Sequence, residues 1–134
     1  MPIERCLAAI DRFRAFCERE PLVLAAFLGG SFAAGRARED SDVDVYVISR
    51  EEEYPELWAR RLDFVAPIGE PQLVTEHPDF EGLGFDIVHF ELEEGVRGEV
   101  AYGHTGNFMA MHGGPYAVFV DRTGLLDGVV FPLL

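Results

Sequence analysis

Gly29-Gly30-Ser31-Phe32-Ala33-Ala34-Gly35-Arg36-Ala37-Arg38-Glu39-Asp40-Ser41-Asp42-Val43-Asp44-Val45-Tyr46-Val47 is the stretch on which the reading of this chain turns. The apolar run Leu22 to Leu28 before it reads as a buried strand, ended by two glycines and a serine. Phe32 to Ala37 is a small-residue segment suited to one or two helical turns. Asp42 to Ile48 then alternates carboxylate and apolar residues, the period of a second strand. On a strand, Asp42 and Asp44 share one face, with Cα atoms about 7 Å apart, while Val43, Val45 and Val47 face a core.

Two adjacent carboxylates raise one another's pKa or hold a cation. A hard divalent ion with oxygen ligands, Mg²⁺ or Mn²⁺, is the natural occupant. The Gly30-Ser31 turn supplies the complement, because glycines let backbone N–H groups approach an anion. A cation beside a phosphate-sized anion site points to a nucleotide or another polyphosphate.

Gly30-Ser31, ten residues, then Asp42-x-Asp44 resembles the signature of the nucleotidyltransferase superfamily, which includes DNA polymerase beta, aminoglycoside and lincosamide nucleotidyltransferases and the minimal nucleotidyltransferases. The family motif continues with a third carboxylate on a neighbouring strand, and Phe85-Asp86-Ile87-Val88 fits that position. The resemblance covers roughly residues 22 to 90. It implies an α/β (α+β) fold, a mixed central sheet flanked by helices, in one domain spanning 1–134. It implies catalytic and metal-holding roles for Asp42, Asp44 and Asp86. Gly30, Ser31 and Arg36 are expected on the triphosphate, since a guanidinium fork suits phosphate. The activity implied is metal-dependent transfer of a nucleoside monophosphate from an NTP, with ATP expected, to a hydroxyl of a small molecule or protein. In some antibiotic-modifying relatives an extra carboxylate is the general base, and Glu91 and Glu93 are candidates here.

Composition narrows the acceptor. The formal net charge is −13, lysine is absent, and all 11 cations are arginine. A nucleic-acid acceptor would need a basic footprint, so none is expected. Relatives that modify antibiotics carry a further helical domain, and the sequence ends where that domain would be expected to begin. Either a homodimer partner completes the site, or a protein is the acceptor, as in minimal nucleotidyltransferase antitoxins that act on a helical toxin. A non-catalytic nucleotide-binding or interaction module is the third reading; the carboxylate pair argues against it, because without a cation the two would only repel.

The remaining features read as scaffold. Ile3, Leu7, Ile10, Phe13 and Cys17 have helical spacing over residues 3–19, with Pro2 and Pro21 as punctuation. Cys6 and Cys17 would lie about 16 Å apart along that helix and are read as buried free thiols. Pro55 to Phe64 reads as a helix that puts Trp58 in the core or an interface, Gln72 to Thr75 as a short strand, and Phe85 to Leu92 as a core strand. Gly95 to Gly106 reads as a glycine-spotted loop, Asn107 to His112 as a helix and Tyr116 to Val120 as a strand. The four histidines show no zinc-type spacing with the cysteines. The apolar tail, Leu125 to Leu134, is expected to need cover. No 18-residue apolar run and no signal peptide is legible, so no membrane span and a cytoplasmic location are expected.

Overall fold

Hydrophobic residues make up 49% of the chain, and most of the large ones pack against the two faces of one mixed sheet. The structure, a computed structural model, describes residues 2–132. Helix α1 (Pro2–Arg19) leads into β1 (Ala25–Leu28), the short α2 (Gly30–Ala33) and β2 (Val43–Ser49). Two short helices follow, α3 (Tyr54–Ala59) and α4 (Arg61–Val65), then β3 (Pro71–His77), β4 (Asp86–Leu92), β5 (Arg97–His104) and β6 (Ala117–Asp121). The sheet order is β3-β4-β5-β2-β1-β6. Only the central β2–β5 pair is parallel; the other neighbours are antiparallel.

The larger core lies under α1, α3 and α4. Ile10, Phe13 and Cys17 of α1 meet Val43, Val45 and Val47 of β2 and Val100 and Tyr102 of β5 in one buried cluster. The apolar half of the β2 alternation therefore does what its period dictates. Cys6 and Cys17 are buried and free. Trp58 packs edge-on to Tyr102, ring centres 5.5 Å apart, at the margin of this core. The smaller core is on the other face, where Phe27, Ile48, Ile87 and Ala101 are covered by Phe108, Met111, Leu126 and Phe131. That cover lies over the C-terminal half of β2 and leaves the Asp42–Asp44 end outside it. Arg122 ties β6 to the start of β1, its Nε donating to the Val23 carbonyl at 2.8 Å.

Three boundaries differ from expectation. The expected loop at 95–106 is β5, the strand between β2 and β4. Its two glycines mark close approach rather than a chain break. A Cβ at Gly98 would clash with the Val43 carbonyl, and one at Gly103 with Met111 and Asn107. The helix expected at 55–64 is broken at Arg60 into α3 and α4. The helix expected at 107–112 is a single 3-10 turn, Phe108–Ala110. Leu133 and Leu134 of the apolar tail lie outside the described residues. Among the described residues, no helix is long and apolar enough to cross a membrane.

Candidate functional site

The Gly29-Gly30-Ser31 turn is built onto β2. Gly29 N–H donates to the Asp44 carbonyl at 2.9 Å. Gly30 has φ +64, and a Cβ there would come within 2.5 Å of Asp44 Oδ2. Only glycine meets both conditions, so the carboxylate of Asp44 lies directly against the turn. Gly29 is equally tight. A Cβ on it would lie 2.6 Å from His112 Cε1 and 2.7 Å from Tyr46 Cε1.

After α2 the chain loops back. Arg36 N–H donates to the Ser31 carbonyl at 2.9 Å, and Arg38 N–H to Ser41 Oγ at 2.7 Å. Arg36 and Arg38 thereby line a hollow of about 440 Å³ with Gly30, Ser31, Ala34 and Ser41. Neither guanidinium has a hydrogen-bond or ion-pair partner among the described residues. In a chain with a formal net charge of −13, two unpaired arginines beside a glycine turn make a local concentration of positive charge.

The parallel register sets Asp44 directly beside Glu99 of β5. Side chains at paired positions share a face, so these two carboxylates stand together. Asp44 accepts no side-chain hydrogen bond among the described residues. Burial, then Glu99, then Asp42, push its pKa up to about 6. Asp42 is turned toward Arg97, Oδ1 to Nε 3.1 Å, in an ion pair with both side chains about half exposed. His89 of β4 pairs with Glu99 in register, Nδ1 to Oε1 3.9 Å, on the far side from Asp44.

Asp86 does not join this group. It pairs with Tyr102, whose side chain is in the larger core, so it projects from the face opposite Asp44 and Glu99. It is also three residues further along the sheet, since Tyr102 is level with Val47. There Asp86 accepts hydrogen bonds from the Tyr54 hydroxyl and, at 2.7 Å, from Asp79 N–H. Of the expected triad Asp42, Asp44 and Asp86, the structure therefore keeps Asp42 and Asp44 on one face of β2 and sets Glu99, not Asp86, beside Asp44. Of the two general-base candidates, Glu91 lies on the site face of β4, level with Arg97, and Glu93 lies in the β4–β5 turn.

As they stand, no three acidic, histidine or cysteine side chains among the described residues share a position that could hold an ion. The donor set nevertheless suits a hard cation: three carboxylates on adjacent strands, one poorly solvated and unsatisfied. Freeing Asp42 from its exposed pairing with Arg97 would cost little, because such pairs contribute about 0–1 kcal/mol.

Residues 10–92 match the family described as "Nucleotidyltransferase domain". The chain is similar to the crystal structure of an aminoglycoside 6-adenyltransferase from Bacillus subtilis, with 14% identity and a TM-score of 0.46, over 71% of this chain. It spans 33% of that chain, about a third of its length. Among curated proteins, none matches this sequence.

Proposed function

We propose that this chain, which belongs to the nucleotidyltransferase domain family, is a transferase that moves a nucleoside monophosphate from an NTP, ATP foremost, to an acceptor hydroxyl. Asp42, Asp44 and Glu99 would hold the divalent cation, Mg²⁺ or Mn²⁺. The cation would neutralise phosphate charge and polarise the reacting phosphorus. Gly30 and Ser31 grip the β- and γ-phosphates, and Arg36, with Arg38, faces them across the hollow. The acceptor hydroxyl enters from the β4 side, where His89 and Glu91 flank Glu99. Its oxygen forms a bond to the α-phosphorus as the bond to the bridging oxygen breaks and pyrophosphate leaves toward the arginines. Glu99 takes the hydroxyl proton. Most of the rate comes from holding the reactants in line and from charge neutralisation.

The observation that carries this reading is the side-by-side placement of Asp44 and Glu99 against the Gly30 turn. Aminoglycosides, other polyols and candidate protein acceptors, incubated with the four labelled NTPs and Mg²⁺, should yield a nucleotidylated product, and Asp44→Asn should abolish it. Turnover undiminished in Asp44→Asn would refute the assignment. An acceptor on a small molecule or on a helical partner protein would be distinguished by the mass of the product, and a site shared between two copies by rescue on mixing two inactive variants.

A further inference from the structure

Beyond Pro115 lies a second hollow, of about 470 Å³, lined by Tyr116, Val129, Val130 and Phe131 with Gly114 and Pro115. Pro115 also lines the arginine hollow beside Ser31, so the two are neighbours with a common wall. Their chemistry differs completely. The first carries two unpaired guanidiniums; the second carries no charged side chain.

The second hollow is preformed. Tyr116 donates its hydroxyl proton toward the Val129 carbonyl at 2.6 Å and the Leu126 carbonyl at 3.2 Å. The Phe131 ring packs on Phe27 and Tyr116, with centres 5.3 and 5.0 Å apart. His112 Nε2 is 2.9 Å from the Pro115 carbonyl, and Nδ1 is 3.1 Å from the Tyr46 hydroxyl. The loop that forms the hollow is thus pinned to the strand that carries Asp44. At the lip, Val130 is 83% exposed.

A ligand that fills both hollows has a polyanionic end and a flat apolar end. A nucleoside triphosphate has this form. Resting on the nucleotidyl-transfer reading above, we infer that the hollow of Tyr116, Val130 and Phe131 is the subsite for the nucleobase. The half-buried Tyr116 ring with the Val129 and Val130 side chains holds the base by its faces over the buried Phe131, and contact of that kind tolerates different base edges. Purines should therefore bind more tightly than pyrimidines on contact area, and ATP more tightly than CTP.

Calorimetry on the full chain with Mg²⁺ tests this, using ATP, CTP and inorganic tripolyphosphate as probes. ATP should bind about tenfold tighter than tripolyphosphate, the scale of one stacked base. Val130→Ser, at an exposed position, should weaken ATP about three- to tenfold and leave tripolyphosphate unchanged. Equal loss for both probes, or no loss for ATP, overturns the base subsite alone. No binding of any probe overturns it together with the transfer reading. As a second measurement, 8-azido-ATP should photolabel the segment 113–132; label confined to the β3–β4 hairpin contradicts the inference.

Discussion

Asp44 and Asp86 are both carboxylates on strands of one sheet, yet their surroundings are opposite. Asp86 accepts from Tyr54 and from Asp79 N–H, and the same Tyr54 hydroxyl lies 2.9 Å from the Tyr102 carbonyl. Asp44 has no donor and faces Glu99. A charge that folding surrounds with donors is part of the scaffold. A charge that folding crowds with like charge and leaves unsatisfied costs stability, and its retention is explained by a ligand that relieves it.

The contrast breaks most visibly in activity. Asp44→Asn should lower transfer by about a thousandfold or more, the scale of removing a group that stabilises the transition state directly, while melting no lower than the parent. Glu99→Gln should lower transfer by about a hundredfold under saturating NTP. If it had no effect, Asp44 would be left with no carboxylate neighbour of consequence on β5. Asp86→Ala should behave in reverse. It strands the Asp79 N–H and leaves the Tyr54 hydroxyl with the Tyr102 carbonyl alone, costing about 1–3 kcal/mol in urea denaturation, while the folded fraction keeps transfer within about threefold.

The smallest effect is on pH. Asp44 titrates near 6, above the ordinary value of 3.8, because folding disfavours its ionised form. Its contribution to the stability of the metal-free protein is therefore fully present below about pH 4 and is lost as pH rises through about 6. In chelator, Asp44→Asn should be the more stable protein at pH 8, with the gap closing toward pH 4. Thermal melts of both proteins across that range would show it; a gap that widens on acidification contradicts the sign.

Much of this site is legible in sequence because it is local. The Gly30-Ser31 turn and the Asp42-Val43-Asp44-Val45 alternation fix their geometry within twenty residues of chain. Asp86 shows where local reasoning stops. Alternation in Phe85-Asp86-Ile87-Val88 does identify which residues share a face, and Asp86, Val88 and Phe90 do so. Which face they take is set by pairing with β5, a strand hidden by its glycines. Gly98 and Gly103 read as breakers, whereas they are there because Val43 and Met111 come too close for a Cβ. Read as a strand, Gly98-Glu99-Val100-Ala101-Tyr102 offers its own carboxylate between small and apolar residues. That signal, an isolated Glu in an otherwise apolar run, could have found Glu99. The pinned aromatic cluster of Phe27, Tyr46, His112 and Phe131 was beyond sequence reach, because its members are spread over more than a hundred residues of chain.

The most direct test is Mn²⁺ binding followed by electron paramagnetic resonance, with no nucleotide present. The free-ion signal should fall with the parent protein and with Asp86→Asn, and should persist with Asp44→Asn and Glu99→Gln. Binding abolished by Asp86→Asn in a folded protein, and untouched by Glu99→Gln, would contradict the placement of the cation between β2 and β5.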